Sequence, residues 1–174
     1  KTTYSENQKF DPSGASFFAT IGGRYVYIYS GFSYDKTGPL KSADTSVVFN
    51  YFGKEIPVSI TVTARKATKL SVLAAPAKTQ FTVGNTLDLS GVKLQITYND
   101  GTQTPIFKAD ELEKYGVHVA FGKNGSFTTV AADKVLESAD SGSTIVFYAT
   151  DKLPSEYGSV VVASSTITVR SPLT

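Results

Sequence analysis

Apolar and polar residues alternate with period two along much of this chain, the signature of half-buried β-strands. Val92, Leu94, Ile96 and Tyr98 alternate with Lys93, Gln95 and Thr97, and Asn99-Asp100-Gly101 then supplies turn residues. A slip of one residue would turn all four apolar side chains to solvent, so this register is strongly specified. Earlier, Ala15, Phe17, Ala19 and Ile21 alternate with Ser16, Phe18 and Thr20, and Gly22-Gly23 takes the turn. Val47, Phe49 and Tyr51 run into Phe52-Gly53-Lys54-Glu55, a hairpin connection, and Val58, Ile60 and Val62 face one way on the returning strand. In Arg24-Tyr25-Val26-Tyr27-Ile28-Tyr29 the alternation directs Val26 and Ile28 to the core and Tyr25, Tyr27 and Tyr29 to the opposite face. Helical periodicity is nearly absent. Asp110 to Gly116 reads as one short helical turn with an Asp cap and a Gly stop.

The pattern is used twice. Lys1 to Ala15 matches Lys78 to Val92 at an offset of 77 (78 − 1), with Lys, Thr, Asp, Ser and Gly recurring and Tyr4/Phe81 and Phe10/Leu87 apolar in both. Leu40-Lys41-Ser42-Ala43-Asp44 matches Leu136-Glu137-Ser138-Ala139-Asp140 at an offset of 96 (136 − 40). Val58 to Val62 matches Ser165 to Val169 at an offset of 107 (165 − 58). Three blocks in one order with growing offset imply a duplicated unit, with insertions in the second copy near 107–135 and 150–158. The expected domains are 1–65 and 66–174. The second owns a first strand, roughly 66–77, for which the first has no counterpart. That absence leaves an exposed sheet edge; either the missing strand lies upstream in a longer protein or the chain is a trimmed fragment, and both imply a tandem array extending toward the N-terminus.

Composition narrows the chemistry. Of 174 residues 41% are hydrophobic and 18% charged, with 10 Tyr and 11 Phe, a mix that favours strands over helices. The net charge of +2 is scattered, which argues against a nucleic-acid partner. No apolar run reaches the ~18 residues of a membrane-spanning helix. There is no Cys, hence no disulfide, thiolate metal site or Cys nucleophile.

Pro76-x-Lys78-Thr79-x-Phe81-x-Val83-Gly84-x-x-Leu87-Asp88-Leu89-Ser90-Gly91-Val92, followed by Tyr98-x-Asp100-Gly101-Thr102, resembles the bacterial immunoglobulin-like (Big-type) repeats of cell-surface proteins. Asp44-Thr45-Ser46-Val47, Tyr51-x-Gly53-Lys54 and Ile60-Thr61-Val62 resemble the end of such a repeat. The first copy departs from it at Glu6-Asn7, where the family has an apolar residue and Gly. The resemblance implies an all-β chain of two tandem immunoglobulin-like β-sandwich domains, the first without its initial strand. It further implies a non-catalytic structural or spacer module of an extracellular, cell-wall-attached bacterial protein, adhesin-like in character. Its partners would be neighbouring repeats of the same polypeptide. The alternatives are a module that binds glycan or a host surface protein, and an accessory domain of a larger surface enzyme.

Reactive groups are sparse. His118 is the single His and should point outward between Val117 and Val119. No His pair or Asp-rich calcium loop is present, so neither a metal nor another cofactor is expected. Asp11 and Asp88, each followed by Ser and Gly, read as turn residues whose carboxylates accept backbone N–H groups, and Asp44 and Asp140 read likewise. The least ordinary feature is the aromatic row of Tyr25, Tyr27 and Tyr29, with Tyr34 close behind, suited to a sugar ring or a protein partner, while the plainer expectation is that these tyrosines pack against a neighbouring domain, an upstream repeat or the other sheet.

Overall fold

A computed structural model describes residues 1–172. It is nearly all β, with several small sheets and no closed barrel, a sandwich-like architecture. The chain divides into two compact units, the boundary falling between Arg65 and Lys66.

Unit 1 contains β1 (Thr3–Ser5), β2 (Phe17–Ile21), β3 (Arg24–Ile28), β4 (Ser33–Tyr34), β5 (Ser46–Tyr51), β6 (Lys54–Ser59) and β7 (Thr61–Thr63). β2 and β3 form a hairpin, β4-β5-β6 a three-stranded antiparallel sheet, and β1 pairs in parallel with β7. The run 58–62, one strand by its alternation, is split at Ile60. Before it the chain pairs with β5, and after it with β1. Both hairpin tips have two central residues at positive φ, Gly22-Gly23 and Phe52-Gly53. That geometry matches the twist of the flanking strands. The core gathers Tyr4, Phe10, Leu40, Val47, Phe49, Ile60 and Val62. Phe49 is its hub, meeting Phe10, Phe17, Phe32 and Tyr34 at ring distances of 5.0–6.0 Å.

Unit 2 contains β8 (Ala67–Ala74), β9 (Gln80–Thr82), β10 (Lys93–Tyr98), β11 (His118–Lys123), β12 (Ser126–Val130), β13 (Thr144–Tyr148), β14 (Val161–Thr166) and β15 (Thr168–Arg170). β8 lies antiparallel on β10, β9 pairs in parallel with β15, and β12-β11-β13-β14 form a four-stranded sheet. Contiguous apolar runs in β11 and β13 are buried on both faces, as such runs require. Val119, Phe121, Ile145 and Phe147 join the main core, while Ala120, Val146, Tyr148 and Val161 form a second cluster against Phe127. The 107–135 insertion supplies β11 and β12, joined by a tight Asn124-Gly125 turn at positive φ. The helical turn expected at 110–116 is two 3-10 turns, Ala109–Glu111 and Glu113–Tyr115. Gly116 does stop it at φ 64°, but Asp110 is not the cap: Glu111 accepts the Lys108 N–H at 3.5 Å.

The hydrogen bonds of the two units coincide position by position. Thr61 N–H donates to Thr2 O at 2.9 Å, and Thr168 N–H to Thr79 O at 2.8 Å. Leu40 N–H donates to Gln8 O and Leu136 N–H to Asn85 O, both at 2.8 Å. Glu6 N–H reaches Thr63 O, and Val83 N–H reaches Arg170 O. The isolated bridges Lys9–Pro39 and Thr86–Val135 correspond too. These pairs follow the sequence offsets of 77, 96 and 107. Even the ammonium over a ring recurs, Lys1 over Tyr4 and Lys78 over Phe81.

Candidate functional site

The recurring carboxylates hold loops. Asp11 Oδ1 accepts the Ser13 N–H at 2.9 Å and Asp88 Oδ1 the Ser90 N–H at 2.8 Å. The Ser13 side chain and N–H lower the Asp11 carboxyl below the ordinary range, and the Ser90 N–H and side chain do the same for Asp88. Asp44 and Asp140 accept the N–H three residues before them, from Lys41 and Glu137, each at 2.8 Å. A lysine adds to each, Lys36 to Asp44 at 2.8 Å and Lys134 to Asp140 at 3.1 Å. The Lys36 ammonium is the largest cause of the lowered Asp44 carboxyl. These acceptors are engaged in structure, the expected role.

His118 is exposed between buried Val117 and Val119, its ring 5.1 Å from that of Tyr148. Among the described residues no group of three or more His, Asp or Glu side chains stands close enough to hold a metal ion.

The β2–β3 hairpin is the unusual surface. Tyr25 and Tyr27 on one face of β3, and Tyr29 just past its end, are 65–77% exposed. The Tyr27 and Tyr29 rings lie 6.1 Å apart at 22°. Phe18, opposite Tyr27 in the register and 67% exposed, joins them and meets Tyr25 edge-on at 6.1 Å. The sequence carries the signal for Phe18, since the alternation in β2 puts it on the outer face, but as a single ring it is a weaker signal than the tyrosine run. Tyr34 does not join the row. It packs against Phe10 and Phe49 at 5.3 and 6.0 Å, because β4 pairs with β5 over the core. Val26 shares a face with Ile28 but is 41% exposed, because the hairpin reaches past the core toward its tip. At the corresponding place in unit 2 the same face is polar. Gln95 donates to Thr104 O at 3.1 Å, and Gln103 to Thr97 Oγ1 at 3.2 Å.

A second concave surface, in unit 2, is lined by both insertions. Tyr157 and Phe127 meet edge-on at 4.9 Å, with Lys123, Asn124 and Glu156 around them. Gly122 forms its floor: a Cβ there would stand 2.9 Å from the Tyr157 hydroxyl and 3.1 Å from the Phe127 ring. The Lys123 ammonium is committed to Ala139 O and Ser141 O at 2.7 and 2.6 Å.

Comparison with protein-family models and with curated proteins found no match for this chain. The class is defined by fold alone: two sandwich-like β units, one presenting an exposed aromatic hairpin.

Proposed function

We propose that this chain is a structural module of an extracellular bacterial surface protein, one immunoglobulin-like plan used in tandem, whose task is to carry tension. The observation that supports this is the parallel pairing of the first short strand with the last in each unit, β1 with β7 and β9 with β15. In a parallel pair the start of one strand and the end of the other lie at opposite ends of the ladder. Pulling on the two ends of unit 1 slides the strands lengthwise, so the hydrogen bonds share the load instead of opening one by one; in unit 2 the same pair takes the load once β8, which precedes β9, is drawn off β10. The likeness to Big-type repeats at Lys78 to Val92 supports the same reading.

Single-molecule stretching of the whole chain tests it, because forced unfolding reports the unfolding barrier. Two separate high-force events are expected. Glu6→Pro removes the N–H bonded to Thr63 O, and Val83→Pro the N–H bonded to Arg170 O. Each should lower the force of its own unit alone. Extension of both units at the low force of a peeled hairpin would end the proposal.

A second reading is carried by the aromatic face of β2–β3: a module that binds glycan or a host surface protein. Flat rings with polar rims suit either partner. A glycan array probed with the whole chain and with Tyr27→Ala separates the two readings. Retention that is lost in the variant supports binding.

A further inference from the structure

We propose that the free edge of β2 is an acceptor site for an added antiparallel polypeptide strand with the chemistry of residues 67–77. The inference stands on the geometry of the two units and not on the tension-bearing role.

The backbone of β2 has bonding groups to offer. A two-residue hairpin loop closes on a hydrogen-bonded pair, here Ile21–Arg24, and bonded pairs then recur every second residue. Ala19 and Phe17 are therefore bonded to β3, while the N–H and C=O of Phe18 and Thr20 point to the other side. β2 has β3 as its sole strand partner among the described residues. Unit 2 shows what the equivalent edge does. Leu94 exchanges bonds with Phe107 at 2.9 and 3.0 Å, and Ile96 O accepts from Thr104. Gln95 and Thr97, counterparts of Phe18 and Thr20, turn the other way and register with Ser71 and Lys69 of β8.

The cleft beside β2 has the matching shape. In unit 2 the chain leaving β8 crosses Gly91. Ala77 N–H donates to Ser90 O at 2.8 Å, and a Cβ on Gly91 would stand 3.3 Å from Ala77 Cβ and 3.6 Å from Ala75 O. Pro76 between them is buried. The counterpart of Gly91 is Gly14, where a Cβ would meet nothing within 4 Å. The open cleft there is lined by Phe10, Phe17, Phe49 and Val58. Nearer the hairpin tip, Ile21 is 57% exposed on the face that carries Val26.

An extended polypeptide is the occupant because alternating N–H and C=O groups must meet those of Phe18 and Thr20, which a glycan cannot supply. β8 itself is already paired with β10, so the strand comes from polypeptide outside the described residues. It would run antiparallel to β2, with an apolar residue opposite Ala19 as Leu70 lies opposite Ile96, and a small-Pro-small end over Gly14. The tyrosine row lies on the other face of the hairpin and stays uncovered.

The test uses the whole chain and a free peptide with the sequence of residues 67–77, with the same peptide joined directly to Lys1 as a second arm. At saturation the Phe18 and Thr20 amides should exchange about tenfold more slowly or better, with Gln95 and Thr97 unchanged. Thr20→Pro, which an edge strand tolerates, should abolish the response to free peptide while the melting transition persists. A peptide carrying Leu70→Asp, which leaves the protein untouched, should also fail. No slowing in either arm would overturn the proposal, as would equal slowing by the Leu70→Asp peptide. Protection of these amides in the free protein that grows with its concentration would overturn it too, since a second copy would then hold the edge.

Discussion

Units 1 and 2 close their cores with the same backbone bonds, yet they differ in how much they bury. Among the described residues, unit 2 has seventeen buried residues in its main cluster and a second cluster behind the sheet, whereas unit 1 has seven. The difference has two sources. Unit 2 owns β8, whose Leu70 is buried opposite Ile96, and its 107–135 insertion adds β11 and the Phe127 ring that packs on the second cluster behind the sheet. Unit 1 lacks both, and its hairpin is left with aromatic side chains on one face and Ile21 and Val26 exposed on the other. The shared bonds set the plan. The added strand and loops determine how completely each unit is buried, and a chain segment of unit 1's size is marginal on surface-to-volume grounds.

The largest expected effect comes from breaking the smaller core. Phe49→Ala should cost about 3–5 kcal/mol and unfold unit 1, leaving one calorimetric transition that belongs to unit 2. Loss of both transitions together would mean the units do not fold separately. Next, Leu40→Ala and Leu136→Ala remove side chains at matching positions, both buried. Each should cost about 2–5 kcal/mol, read by denaturant melts. A cheap substitution at one of them would break the equivalence.

The glycines sharpen the comparison. Gly14 and Gly91 both sit at positive φ, 75° and 85°. Ala at either should cost about 1–2 kcal/mol. Gly91→Ala should cost more, because its Cβ would press on Ala77 while that of Gly14 meets open space. Phe52, at φ 47° and 89% exposed, holds a turn position that Asn124 fills in the β11–β12 hairpin. Phe52→Asn should raise the stability of unit 1 by about 1 kcal/mol.

Acid should reveal the units separately. Glu6, Asp11 and Asp44 in unit 1, and Asp88 and Glu111 in unit 2, are held below the ordinary carboxylate range. The Arg65 N–H is the main cause for Glu6 and the Lys114 ammonium for Glu111. A carboxyl with a lowered folded pKa contributes stability above its unfolded pKa and loses it as pH falls through the folded value. Melting followed from neutral pH downward should therefore show stability falling as pH passes from the ordinary carboxylate range to below it, with unit 1 melting first because its core is smaller. Asp44→Asn should flatten that loss.

Much of this was legible in the sequence for physical reasons. Asp, Ser and Gly recur because Asp11 and Asp88 accept the N–H of Ser13 and Ser90, and because Gly14 and Gly91 sit at positive φ. Leu-x-Ser-Ala-Asp recurs because Leu40 and Leu136 each fill a core while Asp44 and Asp140 tie back the chain. Alternation fixed the register of β10 and of β2. It failed where a third dimension decides. Period two gives Val26 and Ile28 one face, but it cannot say that the hairpin overshoots the core. Nor can it say that Tyr34 turns inward onto Phe49, or that the strand through Ile60 changes partners there.

Residue-resolved amide exchange on the whole chain tests the shared plan most directly. Leu40 and Leu136, Thr61 and Thr168, and Glu6 and Val83 should be protected as matching pairs. Phe18 and Thr20 should exchange freely while Gln95 and Thr97 are protected. Fast exchange at Leu40, Thr61 and Glu6 beside slow exchange at their counterparts would contradict one plan used twice, and protection of Phe18 and Thr20 equal to that of Gln95 and Thr97 would contradict the open edge of β2.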